Sequence, residues 1–128
     1  MLAVDANVIV RLITEDDPAQ ARRAARLFEG NEIQLTPTVL LEAARVLNAS
    51  YGFRNGRVLD AIEKIAGLPG VHVEGAREVA WAIELGRAGL EFPDAMRLVE
   101  SEARPFVTSD GELVRRAHKA GLRWVKRL

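Results

Sequence analysis

The sequence has no cysteine among its 128 residues. This absence excludes disulfide bonds, thiolate metal sites and cysteine nucleophiles, and it is compatible with a reducing compartment. No stretch free of charged residues exceeds nine residues, which is too short to span a membrane. At the N-terminus an acidic residue, Asp5, comes too early for the apolar region of a secretory signal. We therefore expect a cytoplasmic protein.

The chain also lacks net charge at neutral pH, because 18 acidic residues balance 18 basic ones. A neutral total does not exclude nucleic acid as a partner, but it requires any basic patch to be local. The basic residues are 15 Arg and 3 Lys. Arginine suits bidentate contact with phosphate, although coding bias explains the ratio equally well. The length fits a single domain over residues 1–128 that is large enough to bury a core.

Short apolar segments alternate with helical patterns along the chain. This alternation predicts an α/β domain with a mostly parallel sheet. The helix that begins near residue 37 is expected to end at a turn-rich stretch, 48–55, and Ser109–Glu112 reads as a capping box. We predict strands at 2–4, 33–35, 71–73, 106–107 and 122–125, and helices at 7–13, 18–30, 37–47, 58–66, 76–90, from 93, and from 110 to near 121.

Four acidic residues stand out because each one lies in apolar sequence: Asp5, Glu42, Asp94 and Asp110. Asp5 and Asp110 follow the first and fourth predicted strands, and ligands bind beyond the carboxyl ends of parallel strands. If those two strands are neighbours, both carboxylates face one crevice. Glu42 falls on the edge of a buried helical stripe. Asp94 falls in a first helical turn, where the peptide dipoles favour an anion.

Each acid also has a purely structural interpretation. Asp110 can be a helix cap, Asp94 can simply complement the helix dipole, and Glu42 can pair with Arg45 three residues later. Asp5 has no obvious structural task in this pattern. Acids scattered by chance need not fall at one edge of a sheet, so the joint pattern favours a shared site.

Carboxylates that converge need a cation among them. Two carboxylates about 5 Å apart repel by roughly 3 kcal/mol at an effective dielectric constant of about 20. Neither histidine, His72 nor His118, lies near one of the acids in sequence. Oxygen ligands alone favour Mg²⁺ or Mn²⁺ over Zn²⁺. Such an ion activates water and stabilises phosphoryl oxygens, which points to phosphodiester chemistry.

In its ordered motifs the sequence resembles PIN-domain ribonucleases, specifically the VapC-type toxins of type II toxin–antitoxin systems. The resemblance rests on VDANVIVRL, DDPAQARRA, TPTVLLEAARVL followed by YGF, GLPGV, FPDAMRL and VTSD, in that order and over essentially the whole chain. Any one of these motifs alone is weak. Their order and intervals make the resemblance specific.

The resemblance implies a three-layer α/β/α sandwich with a central, mostly parallel sheet. It also implies Mg²⁺- or Mn²⁺-dependent endonucleolytic cleavage of RNA, a homodimer, and inhibition by a small cognate antitoxin. Carried over motif by motif, Asn7 matches the residue that orders the first acidic turn, and Thr108 or Ser109 matches the hydroxyl just before the last acid. The catalytic and metal-binding acids that it implies are Asp5, Glu42, Asp94 and Asp110.

Three arginines follow the acidic motifs most closely and are expected to contact RNA phosphates: Arg11, Arg45 and Arg97. Relatives often carry an aromatic residue at the position of Arg45 and a histidine at that of Arg97, so these two can instead neutralise the neighbouring acid. Arg11 can instead pair with Glu15 four residues later.

Two other classes of protein compete with the ribonuclease interpretation. A non-catalytic PIN-like RNA-binding module would normally have lost one or more acids, and this chain keeps all four. A receiver-like phosphotransfer domain needs an acid pair beside the first strand and a lysine after a late strand. Here Asp5 stands alone, and no lysine follows Val107 at the required place.

Overall fold

The computed structural model describes all 128 residues, from Met1 to Leu128. The chain forms two compact units, Met1–Ala76 and Arg77–Leu128. The strands are β1 Leu2–Ala3, β2 Ile33–Leu35, β3 Val71–Val73, β4 Phe106–Thr108 and β5 Val125–Arg127. The helices are α1 Ala6–Thr14, α2 Pro18–Gly30, α3 Pro37–Tyr51, α4 Asn55–Ala66, α5 Ala76–Arg87, α6 Phe92–Glu100 and α7 Gly111–Lys119. No helix combines the length and the apolar character needed to cross a membrane.

The first unit is built on a parallel sheet with the strand order β1-β2-β3. Ile33 of β2 pairs with Leu2 on one side and with Val71 on the other. Ile33 is fully buried, and so are Leu40 and Leu47 on the inner face of α3. Helix α1 packs against both α2 and α3. The apolar residues of the central strand and of α3 therefore form the core that holds the end of β1 in place.

The second unit contains a two-stranded parallel sheet, in which Phe106 of β4 pairs with Val125 of β5. Helix α7 packs against both strands. The indole rings of Trp81 and Trp124 lie 5.9 Å apart between centroids, and the Trp124 indole N–H donates to the Ser101 hydroxyl at 3.1 Å. These contacts tie the segment before β5 to α5 and to the end of α6.

The predicted α/β class with parallel strands is confirmed, and several helix starts are as expected. Asp17 caps α2 by accepting a hydrogen bond from the Gln20 backbone N–H at 3.2 Å, and Pro18 occupies the first turn. Thr36 caps α3 in the same way, through the backbone N–H of Val39. Local capping chemistry therefore set these boundaries.

The predicted end of α3 was wrong, because the helix continues into the stretch expected to be turn-rich. It ends at Tyr51, and Gly52 takes the left-handed conformation with φ 69°. The Gly52 N–H bonds the Asn48 carbonyl, and the Phe53 N–H bonds that of Leu47. The helix therefore stops where glycine relieves the steric cost of left-handed backbone, and not at the first polar residue.

Boundaries in the second unit also differ from those predicted. Helix α5 ends at Arg87 and not near 90. The last strand is Val125–Arg127 instead of 122–125, because the Leu122 N–H closes the end of α7 by bonding the Ala117 carbonyl. The cap of α7 is Asp110, which confirms the structural interpretation of that residue, and not Ser109, as the capping box predicted.

Candidate active site

Asp5 begins helix α1 immediately after the first strand. Its backbone is extended, with φ −79° and ψ 159°, and its carboxylate accepts a hydrogen bond from the Ala6 N–H at 2.7 Å. The side chain is exposed, whereas Val4 and Ala6 on either side are buried. Asp5 therefore has the structural task that the sequence did not reveal: it is the N-cap of α1. Only one carboxylate oxygen, Oδ1, is used for this bond.

Asp110 has the corresponding position after β4. Its Oδ1 accepts a hydrogen bond from the Leu113 N–H at 3.1 Å, and its own N–H donates to the Thr108 hydroxyl at 3.1 Å. Thr108 therefore orders the turn that carries the carboxylate, while the exposed Ser109 makes no side-chain hydrogen bond. Of the two hydroxyls considered from the sequence, Thr108 is the one that supports Asp110.

Glu42 and Asp94 lie on helices and have different surroundings. Glu42 is exposed on α3 and forms no ion pair with Arg45, which is also exposed. Asp94 lies in the first turn of α6, with 29% of its side chain exposed, and is ion-paired with Arg97. An ion pair with the arginine three residues later was an alternative for both acids, and it forms only at Asp94.

The four acids are not buried, although each lies among apolar residues in the sequence. The chain buries no polar or charged residue at all. The apolar neighbours of the acids point into the core, and the carboxylates themselves remain accessible to solvent. The cost of burying a charge is therefore not a reason for a cation here. The remaining reasons to expect a cation are the mutual repulsion of the carboxylates and their oxygen donor atoms.

The two units each contribute two of the four acids: Asp5 and Glu42 in the first unit, Asp94 and Asp110 in the second. Within either unit, no three His, Asp or Glu side chains are grouped so as to hold a metal ion. The donor chemistry nevertheless fits a hard divalent cation. All four donors are carboxylates, and the cap bonds of Asp5 and Asp110 leave one oxygen of each unused.

Arg11 lies in a polar network that connects α1, the α1–α2 loop and the end of α3. Its Nη1 donates to both carboxylate oxygens of Asp16, at 2.8 and 2.9 Å, and its Nε donates to Gln20 at 2.9 Å. The Tyr51 hydroxyl donates to Asp16 Oδ2 at 2.6 Å. The pairing of Arg11 with Glu15, considered from the sequence, does not form. Glu15 ends α1 in the left-handed conformation, with φ 53°, and Asp16 pairs with Arg11 instead.

This network sets the ionisation of Asp16. The Tyr51 hydroxyl and the Arg11 guanidinium stabilise the ionised carboxylate and lower its pKa from 3.8 to about 2. The same hydrogen bond raises the pKa of Tyr51. Sequence analysis missed both residues. Tyr51 lies in the YGF motif, but nothing in the local pattern indicated that it would meet a carboxylate 35 residues earlier.

A groove with a volume of about 350 Å³ runs between α1 and α2. Asn7, which the resemblance implies orders the turn at Asp5, lies on its wall and makes no side-chain hydrogen bond. The full lining is Asn7, Val8, Arg11, Gln20, Arg23, Ala24 and Leu27. The groove is therefore lined by apolar side chains and by two guanidinium groups, one from each helix: Arg11 on α1, which Asp5 caps, and Arg23 on α2.

Comparison with known protein families gives one match. The family model described as PIN domain matches residues 2–119, which include all four acids. Neither the curated proteins nor the solved structures include a significant match to this chain. PIN domains are generally nucleases that act on RNA or DNA, often within toxin–antitoxin systems, and they typically use divalent metals. The matched segment covers most of the chain, and the protein therefore belongs to the PIN-domain family.

Proposed function

We propose that this protein is an Mg²⁺- or Mn²⁺-dependent endoribonuclease that hydrolyses RNA phosphodiester bonds and acts as a VapC-type toxin. The observation that carries the proposal is the PIN-domain match over residues 2–119, a segment in which all four predicted acids are present. Because that segment includes residues of both compact units, we propose that residues 1–128 act as one domain. The α/β fold with parallel strands supports the same assignment.

The proposed catalytic and metal-binding residues are Asp5, Glu42, Asp94 and Asp110. Asp5 and Asp110 support this role because each has one carboxylate oxygen outside its cap bond. Asp94 must exchange its ion pair with Arg97 for the metal ion. When bound, a divalent ion supplies an activated water and stabilises the negative charge on the phosphoryl oxygens.

The three arginines proposed to contact substrate differ in their availability. Arg45 is exposed and unpaired on the helix that carries Glu42, so its guanidinium is available for an RNA phosphate. Arg97 is held by Asp94 and becomes available only when that carboxylate turns to a metal ion. Arg11 is committed to Asp16 and Gln20. We therefore propose Arg45 and Arg97 as phosphate contacts ahead of Arg11.

The proposed partners are a small cognate antitoxin and a second copy of the chain, and the proposed location is the cytoplasm. The two partners follow from the resemblance to VapC-type toxins and the location from the composition, and the partners are testable separately from catalysis. Light scattering on the purified protein measures whether it is a dimer. Co-purification with the product of a short neighbouring reading frame, together with loss of cleavage in that complex, tests for the antitoxin.

The decisive test is cleavage of labelled single-stranded RNA by the purified chain with Mg²⁺, Mn²⁺ or a chelator. We expect cleavage with either metal and none with the chelator. Asp5→Asn should abolish cleavage, because it removes the charge while asparagine still caps α1. Asp17→Asn is the matched control, since it removes the same charge from another helix cap, that of α2. RNA binding without cleavage under all conditions would instead favour a non-catalytic RNA-binding module.

A further inference from the structure

Arg127 on β5 lies against the beginning of α7. A Cβ atom built on Gly111 would lie 3.0 Å from Nη1 and 3.2 Å from Cζ of Arg127, so the guanidinium rests on the glycine backbone. The sheet holds it there. Arg127 pairs with Thr108 in the parallel register, and the next N–H, that of Leu128, donates to the Thr108 carbonyl at 2.8 Å. The guanidinium thus lies beside the residue that directly follows Asp110.

Arg127 has no charged partner within the chain. Its side chain makes no ion pair and no hydrogen bond within the chain. Glu112, the acid in the first turn of α7, is already bonded to Arg115 and Arg116 on the same helix. The N-terminus of a helix carries partial positive charge, which disfavours a cation and favours an anion. The Asp110 carboxylate caps this helix end through one oxygen and forms no hydrogen bond or ion pair with Arg127, so the guanidinium remains available to an anion from outside the chain.

The geometry points to Arg127 as a further substrate-binding residue, which holds a backbone phosphate of single-stranded RNA beside Asp110. This inference rests on the proposed nuclease function, because it places the phosphate next to a proposed catalytic acid. The planar guanidinium is suited to bidentate contact with phosphate oxygens. Gly111 provides the space, since any larger residue would push the guanidinium off the helix terminus.

The sequence did not single out Arg127, because 16 residues separate it from Asp110 and it belongs to none of the recognised motifs. The three arginines considered earlier were chosen by their closeness in sequence to an acid. Arg127 reaches Gly111 only through the pairing of β5 with β4. Its position is thus a consequence of strand register and not of local spacing.

The test compares RNA affinity in charge-matched variants at several salt concentrations, with a chelator present so that RNA is not cut. Arg127→Gln should weaken affinity about tenfold and should reduce the slope of log K against log salt by about 0.7, the value for one phosphate contact on a single strand. Lys126→Gln is the control, because it removes the same charge from the neighbouring position, whose side chain points to the opposite face of β5. It should change affinity less than twofold.

Two further variants separate a phosphate contact from a structural role. Arg127→Lys keeps the charge without the planar fork and should recover part of the affinity. Gly111→Ala should weaken binding about threefold without destabilising the fold, because alanine is a better helix residue than glycine and the position has no left-handed backbone. The melting temperature of each variant is measured alongside its affinity.

The outcomes distinguish this inference from the proposed function. Wild-type protein that cuts RNA, with Arg127→Gln binding as tightly as Lys126→Gln, would overturn the role of Arg127 and leave the nuclease assignment intact. A loss of affinity with an unchanged salt slope and a lowered melting temperature would show a structural role and also overturn it. A wild-type chain that neither binds nor cuts RNA would remove the proposed function, and the inference with it.

Discussion

The two compact units share one local arrangement, a helix capped by an aspartate that follows a short strand. They differ in whether the arginine beside that helix has a partner. In each unit a short parallel strand leads to an aspartate, Asp5 or Asp110, that caps the next helix and leaves one oxygen unused. On the helix that Asp5 caps, Arg11 is bonded to Asp16 and Gln20. At the start of the helix that Asp110 caps, Arg127 has no partner.

This difference has a local physical cause in each unit. In the first, the left-handed conformation of Glu15 turns the chain so that Asp16 meets the guanidinium of Arg11. In the second, Gly111 leaves room for Arg127, while the nearest acid on the helix is occupied by other arginines. Closeness to an acidic motif in sequence is therefore a poor guide to which guanidinium remains available for substrate.

The largest expected effect tests whether the two capping aspartates are equivalent. Asp5→Asn and Asp110→Asn should each lower the rate of RNA cleavage by at least about a hundredfold, because a bound metal ion supplies several kcal/mol of transition-state stabilisation. Both variants should remain folded by circular dichroism, since asparagine caps a helix as well as aspartate. Asp17→Asn should cut RNA at the wild-type rate. Full activity in Asp5→Asn or in Asp110→Asn would show that the two aspartates are not equivalent in catalysis.

The second prediction concerns metal binding. Mg²⁺ or Mn²⁺ should raise the free energy of unfolding by about 2.7 kcal/mol at 100 times its dissociation constant, because it binds only the folded acids. The gain should vanish in the double variant Asp5→Asn, Asp110→Asn and persist in Asp17→Asn. Thermal melts near neutral pH, with ionic strength matched by NaCl, give the shift. An equal shift in all three proteins would mean that the ion binds elsewhere.

The third prediction sets the two arginines directly against each other. Arg11→Gln should lower the melting temperature, because it leaves Asp16 without its bidentate partner, but it should weaken RNA binding less than Arg127→Gln does. Affinity and melting temperature measured on both variants in the same buffer separate the two roles. A larger loss of affinity in Arg11→Gln would reverse the comparison and make Arg11 the stronger phosphate contact of the two.

The smallest effect is the pH dependence of the network around Asp16. The folded-state pKa of about 2 lies below the ordinary 3.8, so its stabilising contribution is fully present above pH 3.8 and is lost as the pH falls toward 2. Tyr51→Phe removes the hydrogen bond that lowers this pKa most, so the variant should lose less stability across that range. Melting temperatures between pH 2 and 6 for the two proteins test this. Identical pH profiles would exclude Tyr51 as the cause.

Much of the fold was predictable because its signals are local. Alternating apolar strands and helical stripes indicated the parallel α/β class, and residues such as Asp17 and Thr36 marked helix starts. One error missed a local signal, and another arose where a boundary depends on contacts outside the segment. Helix α3 runs on to Tyr51 because it ends at a glycine and not at the first polar residues. The last strand begins at Val125 because its pairing with Phe106 sets the register.

The sequence by itself determined the types and order of the functional residues: four carboxylates, no thiol, and an acid after each of two strands. Only the tertiary structure decided what surrounds them. The carboxylates are accessible and not buried, Arg11 is engaged by Asp16 and Tyr51, and Arg127 lies on Gly111. Helix periodicity and capping act over three or four residues and are legible in a sequence. Strand register and loop conformation bring together residues far apart in the chain, and they follow from packing of the whole unit.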